Sequence, residues 1–417
     1  MRVLVLGAGV IGVTTAYELS CDGHDVTVID RNADVADGTS FANAGMVACG
    51  HAFAWASPRA PKMMMKSLVG SAQPIRFRPQ LDPSQWSWAL AFLGQCTAEK
   101  SRHNTKIKHR LCTYSQSRLK KVVSDTGVGF DSSARGLLYF HRSDTTLARG
   151  VSNMRYLESL GQKITILDSE GIACIEPSLK RLSGQIAGGI FSDTDESGDA
   201  RLFTIALTQK CRERGVAFRM GEAIEKFVFT GGEITGVKTA KDIVSADAYV
   251  VCLGPWSARF VRGAGVTLPV YPVKGYSVTF PLAKNSGDIP LRGVVDEDNL
   301  LAVTPFESRL RATSVAEISG YDVRHRPSHF SSMISKLRAL FPAAADYDQP
   351  TFWAGLRPMT PDGPPRIGKT RIPRLLVNTG QGHMGWTMAC GSARILADVL
   401  AEKSPEIPMG GLELSRA

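Results

Sequence analysis

Over 417 residues the sequence has no CxxC pair, no uncharged apolar run of 18 or more residues, and no block of five like charges. Each absence excludes something. The eight cysteines, Cys21, Cys49, Cys96, Cys112, Cys174, Cys211, Cys252 and Cys390, are scattered singly. That spacing argues against a zinc site or a disulfide framework and predicts reduced thiols, no metal and a cytoplasmic location. Without a long apolar run, no transmembrane helix is expected. The net charge is +10, yet no zinc-finger spacing, RNP motif or charge block accompanies it, so nucleic acid is not an expected partner. The surplus fits a solvated basic surface or attraction to an anionic membrane.

What remains is an ordinary globular composition, 43% apolar and 21% charged, in a chain long enough for one large domain or two interleaved ones. The opening MRVLVLGAGVIG has the apolar bias of a signal peptide. Its run is short and broken by glycines, and strand–turn–helix fits it better.

Val3 to Leu6 reads as a buried parallel strand, followed by Gly7-Ala8-Gly9-Val10-Ile11-Gly12 and a helix over 13–20. A second apolar strand, 26–29, ends at Asp30, 18 positions beyond Gly12. This is the dinucleotide fingerprint in its proper context. Gly7 permits the tight turn, Gly9 lets backbone approach a pyrophosphate, and Gly12 lets helix and strand pack closely. The helix N-terminus offers free N–H groups to phosphate, and Asp30 suits the hydroxyls of an adenosine ribose, as in FAD or NAD.

The segment after Asp30 favours FAD. Residues 34–50, DVADGTSFANAGMVACG, are small and lack helical periodicity, which suits close passage along an extended ligand, with Ser40, Asn43 and Gly45 as contacts. Two later segments repeat the pattern. AYVVCL, 248–253, ends at Gly254-Pro255-Trp256-Ser257; a strand over 375–378 leads through Thr379-Gly380-Gln381-Gly382-His383-Met384-Gly385 into a helix over 386–400. A glycine-rich helix start beside a flavin would favour the charge that develops there on reduction.

The stretches VLGAGVIGVTTAYEL, TSFANAG, DESGDARLFT, YPVKGYS, FWAGLRPMTPDG and GWTMACGS span the chain, and together they resemble the D-amino acid oxidase superfamily of flavoproteins, most closely the bacterial D-amino acid dehydrogenase small-subunit type. The resemblance implies an α/β, two-domain fold. A Rossmann-like FAD-binding domain would be assembled from residues 1–50, 191–259 and 351–417. An antiparallel-sheet substrate domain with helices would fill 51–190 and 260–350, with strands over 271–280, 300–305 and 309–315. It adds Val10, Ile11, Arg31, Ala44, Met46, Ile224, Gly254, Trp256, Gly382, His383, Met384, Gly385, Trp386 and Thr387 to the FAD contacts. Some sarcosine-oxidase relatives attach flavin covalently through a cysteine in the region matching 351–360; none stands here, so FAD is expected to be non-covalent.

In such relatives the arginine of the GLRP motif binds the substrate carboxylate, and Arg357 occupies that position. The chemistry agrees, since a planar, permanently charged fork grips a carboxylate bidentately. Read from the residues alone, without the resemblance, Arg357 is rather a structural ion pair with Asp362 or another acid. The implied reaction is hydride transfer from the Cα of a small D-amino acid to flavin, giving an imino acid and then a 2-oxo acid, with electrons passed to a respiratory quinone or other acceptor. His383 and His51 are the candidate catalytic histidines; Tyr276, Thr313 and Ser314 join Arg357 as candidate substrate contacts. Thr313 and Ser314 stand where relatives commonly carry glycines, and Asn299, Leu300 and Leu301 where simpler amine oxidases place a tyrosine. Added bulk favours small or cyclic substrates such as D-alanine, D-proline or a hydroxy-D-proline. The alternatives are an oxygen-using oxidase of glycine, sarcosine or an imino acid, and a flavin-binding assembly protein without turnover.

Residues 58–96 combine Met63, Met64 and Met65 with Lys62, Lys66, Arg76, Arg78, Trp86, Trp88, Phe92 and Leu93. Such a basic, amphipathic stretch suits either a core helix with a solvated edge or peripheral attachment to the inner face of the cell membrane.

Overall fold

A computed structural model describes residues 1–69, 75–283 and 287–414. Its organising element is the buried strand Arg2–Leu6, which lies between Asp25–Ile29 and Ala248–Val251 and runs parallel to both. Leu375–Thr379 continues the sheet beyond 248–251 and Ala217–Arg219 beyond 25–29, again in parallel. One edge strand, Arg366–Lys369, is antiparallel and closes a six-stranded sheet. Parallel strands end at a common edge, and ligands of open α/β sheets bind there. The glycine turns after Leu6, Val251 and Thr379, remote in sequence, therefore meet at one edge.

Helices Val10–Cys21, Ala98–Thr126 and Gly385–Leu400 pack against one another. Their close crossing depends on Gly391, where a Cβ would stand 2.7 Å from the Ser115 backbone. Charges pin the same helices: Arg394 pairs with Glu18 at 3.0 Å and Asp398 at 2.8 Å, and Arg118 reaches Glu18 at 2.9 Å. The helix that leaves the 382–386 turn is thereby held against the fingerprint helix.

The second sheet has nine strands. Along its path lie Thr351–Met359, Tyr271–Pro281, Arg309–Ile318, Leu301–Pro305, Gly293–Asp296, Leu137–His141, Gly188–Ser192 and Thr165–Leu167, with Ile75–Phe77 pairing beside the 309–318 strand. The sequence leads one to expect a purely antiparallel sheet. Most pairs are antiparallel, but 293–296 runs parallel to 137–141, and 75–77 parallel to 316–318. Both parallel pairs join strands separated by more than 100 residues of chain, the long connections that parallel pairing requires. The 351–359 strand, grouped by the sequence with the nucleotide-binding segments, belongs to this sheet.

A bulge interrupts the middle of the sheet. Lys274 faces Glu317 and Tyr276 faces Ser314, so Val315 and Ala316 together oppose Gly275. Val315 has φ +68°, an uncommon conformation for a β-branched residue. Bulges re-aim backbone and side chains, and this one turns the Val315 carbonyl toward Arg357.

Candidate active site

A cavity of about 920 Å³ runs from the glycine-rich edge of the first sheet to the face of the second, near the upper end of the roughly 300–1,000 Å³ typical of ligand pockets. At one end Gly7 turns with φ +110°, and a Cβ there would meet the Cys252 carbonyl oxygen at 2.5 Å. A Cβ on Gly12 would lie 1.8 Å from the Gly7 oxygen, so Gly12 serves strand–helix packing and stands outside the cavity wall. The Val10 N–H at the helix start donates to Ser40 Oγ at 3.0 Å. Asp30 accepts from the Ala8 N–H at 2.7 Å and the Asn32 N–H at 2.9 Å, which orients its carboxylate at the strand end. Arg31 lies over the Trp256 ring at 4.7 Å, and Ile224 and Gly254 complete this end.

In the middle run Ser40, Asn43, Ala44 and Met46, facing Gly382, His383, Met384, Gly385 and Trp386. Two predicted contacts support the wall from behind. Gly45, φ +68°, makes room for Phe306, whose ring carbon would be 2.5 Å from a Cβ. Thr387 Oγ1 accepts from the Ala48 N–H at 3.1 Å.

Arg357 stands at the other end, on the 351–359 strand, with Tyr276, Thr313 and Ser314 from neighbouring strands. Gly275 opposite Gly355 admits its side chain, since a Cβ on Gly275 would lie 2.6 Å from Arg357 Cζ. Asp362 is not its partner: that carboxylate pairs with Arg366 at 2.6 Å. Among the described residues no ion pair includes Arg357; Nη1 donates to the Val315 carbonyl at 3.0 Å, and the guanidinium lies 6.0 Å from the Trp55 ring centre. Burial pulls its pKa down to about 10, so it remains a cation at neutral pH.

Both candidate histidines line the same cavity. His383 stacks on Trp55 at 4.8 Å, and its buried Nε2 has no hydrogen-bond partner among the described residues. Burial first, then the charges of Lys108, His51 and Arg357, hold it well below the ordinary histidine range, so it is neutral. His51 Nε2 lies 3.1 Å from Glu297 Oε1, and its ring stacks on Tyr139 at 5.5 Å. Burial opposes both charges of that pair, yet each partner outweighs it: His51 is raised and Glu297 lowered. An ionised carboxylate only accepts, so Nε2 is the donor and Nδ1 is left to exchange a proton.

Several wall residues carried no sequence signal of their own. Glu297, Tyr139, Trp55 and Trp353 come from four separate segments. The one available signal was Gly275, a glycine inside a strand pattern, which marks close approach and which the sequence reading passed over.

These features are those of a flavin-binding oxidoreductase. Gly7 has no room for a Cβ, a helix start and a strand-end carboxylate flank it, and at the 382–386 turn stands a buried imidazole nitrogen without a hydrogen-bond partner among the described residues; all fit FAD. The chain belongs to the FAD dependent oxidoreductase family of D-amino acid oxidase type, whose model matches residues 2–399. It is 44% identical over 413 residues to D-amino acid dehydrogenase 2 of Mesorhizobium japonicum, covering 99% of each chain. It is 41% identical to the D-amino acid dehydrogenase of Bradyrhizobium diazoefficiens, covering 100% of this chain and 99% of that one. Glycine oxidase from Geobacillus kaustophilus shares the fold, with a TM-score of 0.75 at 21% identity over 100% of this chain and 99% of that one.

Replacing Asp30 by alanine should leave the far-ultraviolet circular dichroism intact. Flavin retained after dialysis should fall at least about tenfold, the loss expected for removing one or two charge-assisted hydrogen bonds. Absorbance at the flavin band against protein concentration measures it.

Proposed function

We propose that this chain is an FAD-dependent D-amino acid dehydrogenase. It oxidises the Cα–N bond to an imino acid, which water hydrolyses to a 2-oxo acid and ammonia, and passes the two electrons to a respiratory quinone or similar acceptor. One observation carries the reading. Arg357 is a half-buried cation with no carboxylate partner among the described residues, at the far end of the cavity that starts at the glycine cradle, in a chain 44% identical to a D-amino acid dehydrogenase.

When bound, FAD supplies the two-electron acceptor; the protein binds, orients and deprotonates. Gly7, Gly9, Val10, Ile11, Asp30 and Arg31 hold its nucleotide half. Ser40, Asn43, Ala44, Met46 and the 382–386 turn hold its other half, with Gly12, Gly45 and Thr387 as supports. Arg357 takes the substrate carboxylate in a bidentate grip, with charge-assisted hydrogen bonds of about 1.5–3 kcal/mol each. The Val315 carbonyl fixes one edge of the guanidinium fork, leaving the others for the ligand. Tyr276, Thr313 and Ser314 wall the sheet side. The substrate enters as an ammonium and must lose a proton before its Cα can give up hydride. His51 Nδ1 receives that proton, and Glu297 stabilises the imidazolium that results. His383, kept neutral, adds no charge that would compete with Arg357 for the carboxylate.

The face formed by helices Ala60–Val69 and Pro83–Leu93 exposes Met63, Met65, Trp86, Leu90 and Leu93 beside the exposed Lys62 and Lys66. Residues 70–74 of the amphipathic stretch lie outside the described residues. Among those described, no helix is long and apolar enough to cross a membrane. We propose that this face rests on an anionic bilayer, close to a lipid-soluble acceptor.

Anaerobic mixing with D- and L-amino acids tests the reaction: D-isomers alone should bleach the oxidised flavin band, and bleaching by L-isomers or by glycine alone would contradict it. For wild type, kcat/KM should rise with pH through a pKa above 6.5, the ordinary histidine value, because the required form is unprotonated His51 and Glu297 raises its pKa. His51→Asn should lower kcat/KM about a hundredfold and abolish that limb, whereas Glu297→Gln should move it to lower pH. In vesicle co-sedimentation with anionic lipid, Lys62→Glu/Lys66→Glu should weaken binding at least about tenfold, at roughly 1 kcal/mol per charge removed; unchanged partitioning would rule the face out.

A further inference from the structure

Arg357 fixes only one end of a substrate; the space beside it decides which side chain can follow. On the sheet side that space is limited by Thr313 and Ser314, the residues behind the expectation of small or cyclic substrates. The same cavity is also lined by Trp55, Met64, Ile75, Val315, Ile318 and Trp88, which the contacts below group as one apolar lobe. None of the six carries a charge. The Trp88 Nε1–H already donates to the Met359 carbonyl at 2.8 Å, and its ring stacks on Phe92 at 5.2 Å, so Trp88 offers only hydrocarbon. Trp88 and Ile318 belong to a packed apolar cluster with Phe77, Ala89, Phe92, Tyr271 and Val273, and Trp55, Met64 and Ile75 pack against it.

The lobe is contiguous with the anchor. Trp55 faces the Arg357 guanidinium at 6.0 Å, the Val315 carbonyl binds it, and Ile75 pairs in register with Ala316, the residue after Val315. Ile75 belongs to a three-residue strand added at the bulge, and Met64 to the helix that precedes it. Met63, 42% exposed, marks where the helix meets solvent. Methionine is unbranched and adapts to the shape of what it covers.

We propose that this lobe is a side-chain subsite for long aliphatic and aromatic D-amino acids, with Met64 and Ile75 setting its depth. The proposal rests on the reading of Arg357 as the carboxylate anchor. Small side chains still bind through Arg357 alone but leave the lobe without an apolar occupant, so the site favours substrates that fill it.

The test uses purified holoenzyme and two carboxylates without an amine, propionate and 3-phenylpropionate, titrated against the flavin absorption spectrum. No turnover is needed. The expected result is binding of 3-phenylpropionate about tenfold or more tighter than propionate, with kcat/KM for D-phenylalanine and D-leucine exceeding that for D-alanine in the same sense. Met64→Trp should fill the lobe and bring the two carboxylates within about threefold, and Met64→Phe should give an intermediate ratio; flavin content reports whether each variant is folded. Equal binding of the two carboxylates by wild type would overturn the subsite, as would an unchanged ratio in a flavin-replete Met64→Trp. Tight, discriminating binding of 3-phenylpropionate without reduction by any D-amino acid would keep the subsite and overturn the reaction. Failure of both carboxylates to bind would remove the Arg357 anchor and the subsite with it.

Discussion

Everything at this site depends on one electrostatic imbalance, a half-buried guanidinium with no acid to answer it among the described residues. Desolvating a charge costs several kcal/mol unless something compensates. Among the described residues its hydrogen-bond partner is one carbonyl, from Val315. That carbonyl is turned inward by a bulge in which a β-branched residue sits at positive φ, a conformation costing of order 1–3 kcal/mol. Two unfavourable terms, a poorly solvated cation and a strained backbone, thus coincide at one point. A ligand carboxylate relieves the first and makes use of the second.

The charges around Arg357 are arranged so that it has no rival. Lys108, fully buried, donates to the Phe53 carbonyl, and burial lowers its pKa to about 8. His383 is driven neutral by burial and by its cationic neighbours. Glu297, the acid of this wall, is engaged with His51, and Asp195 behind it is held by the Gly50 N–H and the Tyr139 hydroxyl, its pKa raised by burial to about 6. Arg357 therefore meets no competing carboxylate among the described residues, while one imidazole stays in reach of proton exchange. Selectivity for an amino acid over a simple acid then falls to the proton-accepting pair, and selectivity among amino acids to the apolar walls.

The glycine turns were legible in the sequence because each sits at the end of an apolar strand, where only glycine tolerates the backbone or the neighbour. Gly7 with φ +110° is one case; Gly380 with φ +86°, where a Cβ would meet the Thr360 side chain at 2.8 Å, is another. The parallel sheet followed from the same runs. What local pattern does not contain is the meeting of distant segments. Glu297 lies in an acidic turn that reads as solvent-facing, and Trp55 in a run with no periodicity; both acquire meaning only when the second sheet brings them to the cavity. The parallel pairing of 293–296 with 137–141 was hidden for the same reason, since more than 150 residues intervene. The lobe beside Arg357 needs four elements at once, and its methionines read equally well as surface or as core.

The most direct measurement is carboxylate binding by wild type, Arg357→Lys and Arg357→Met, each with flavin bound, read from perturbation of the flavin spectrum by propionate. An unpaired guanidinium awaiting a bidentate ligand predicts weakening of about tenfold for lysine, which keeps the charge and loses the fork, and about a hundredfold or more for methionine, which loses both. Equal affinity in all three proteins would mean that the carboxylate binds elsewhere, and that Arg357 has another purpose.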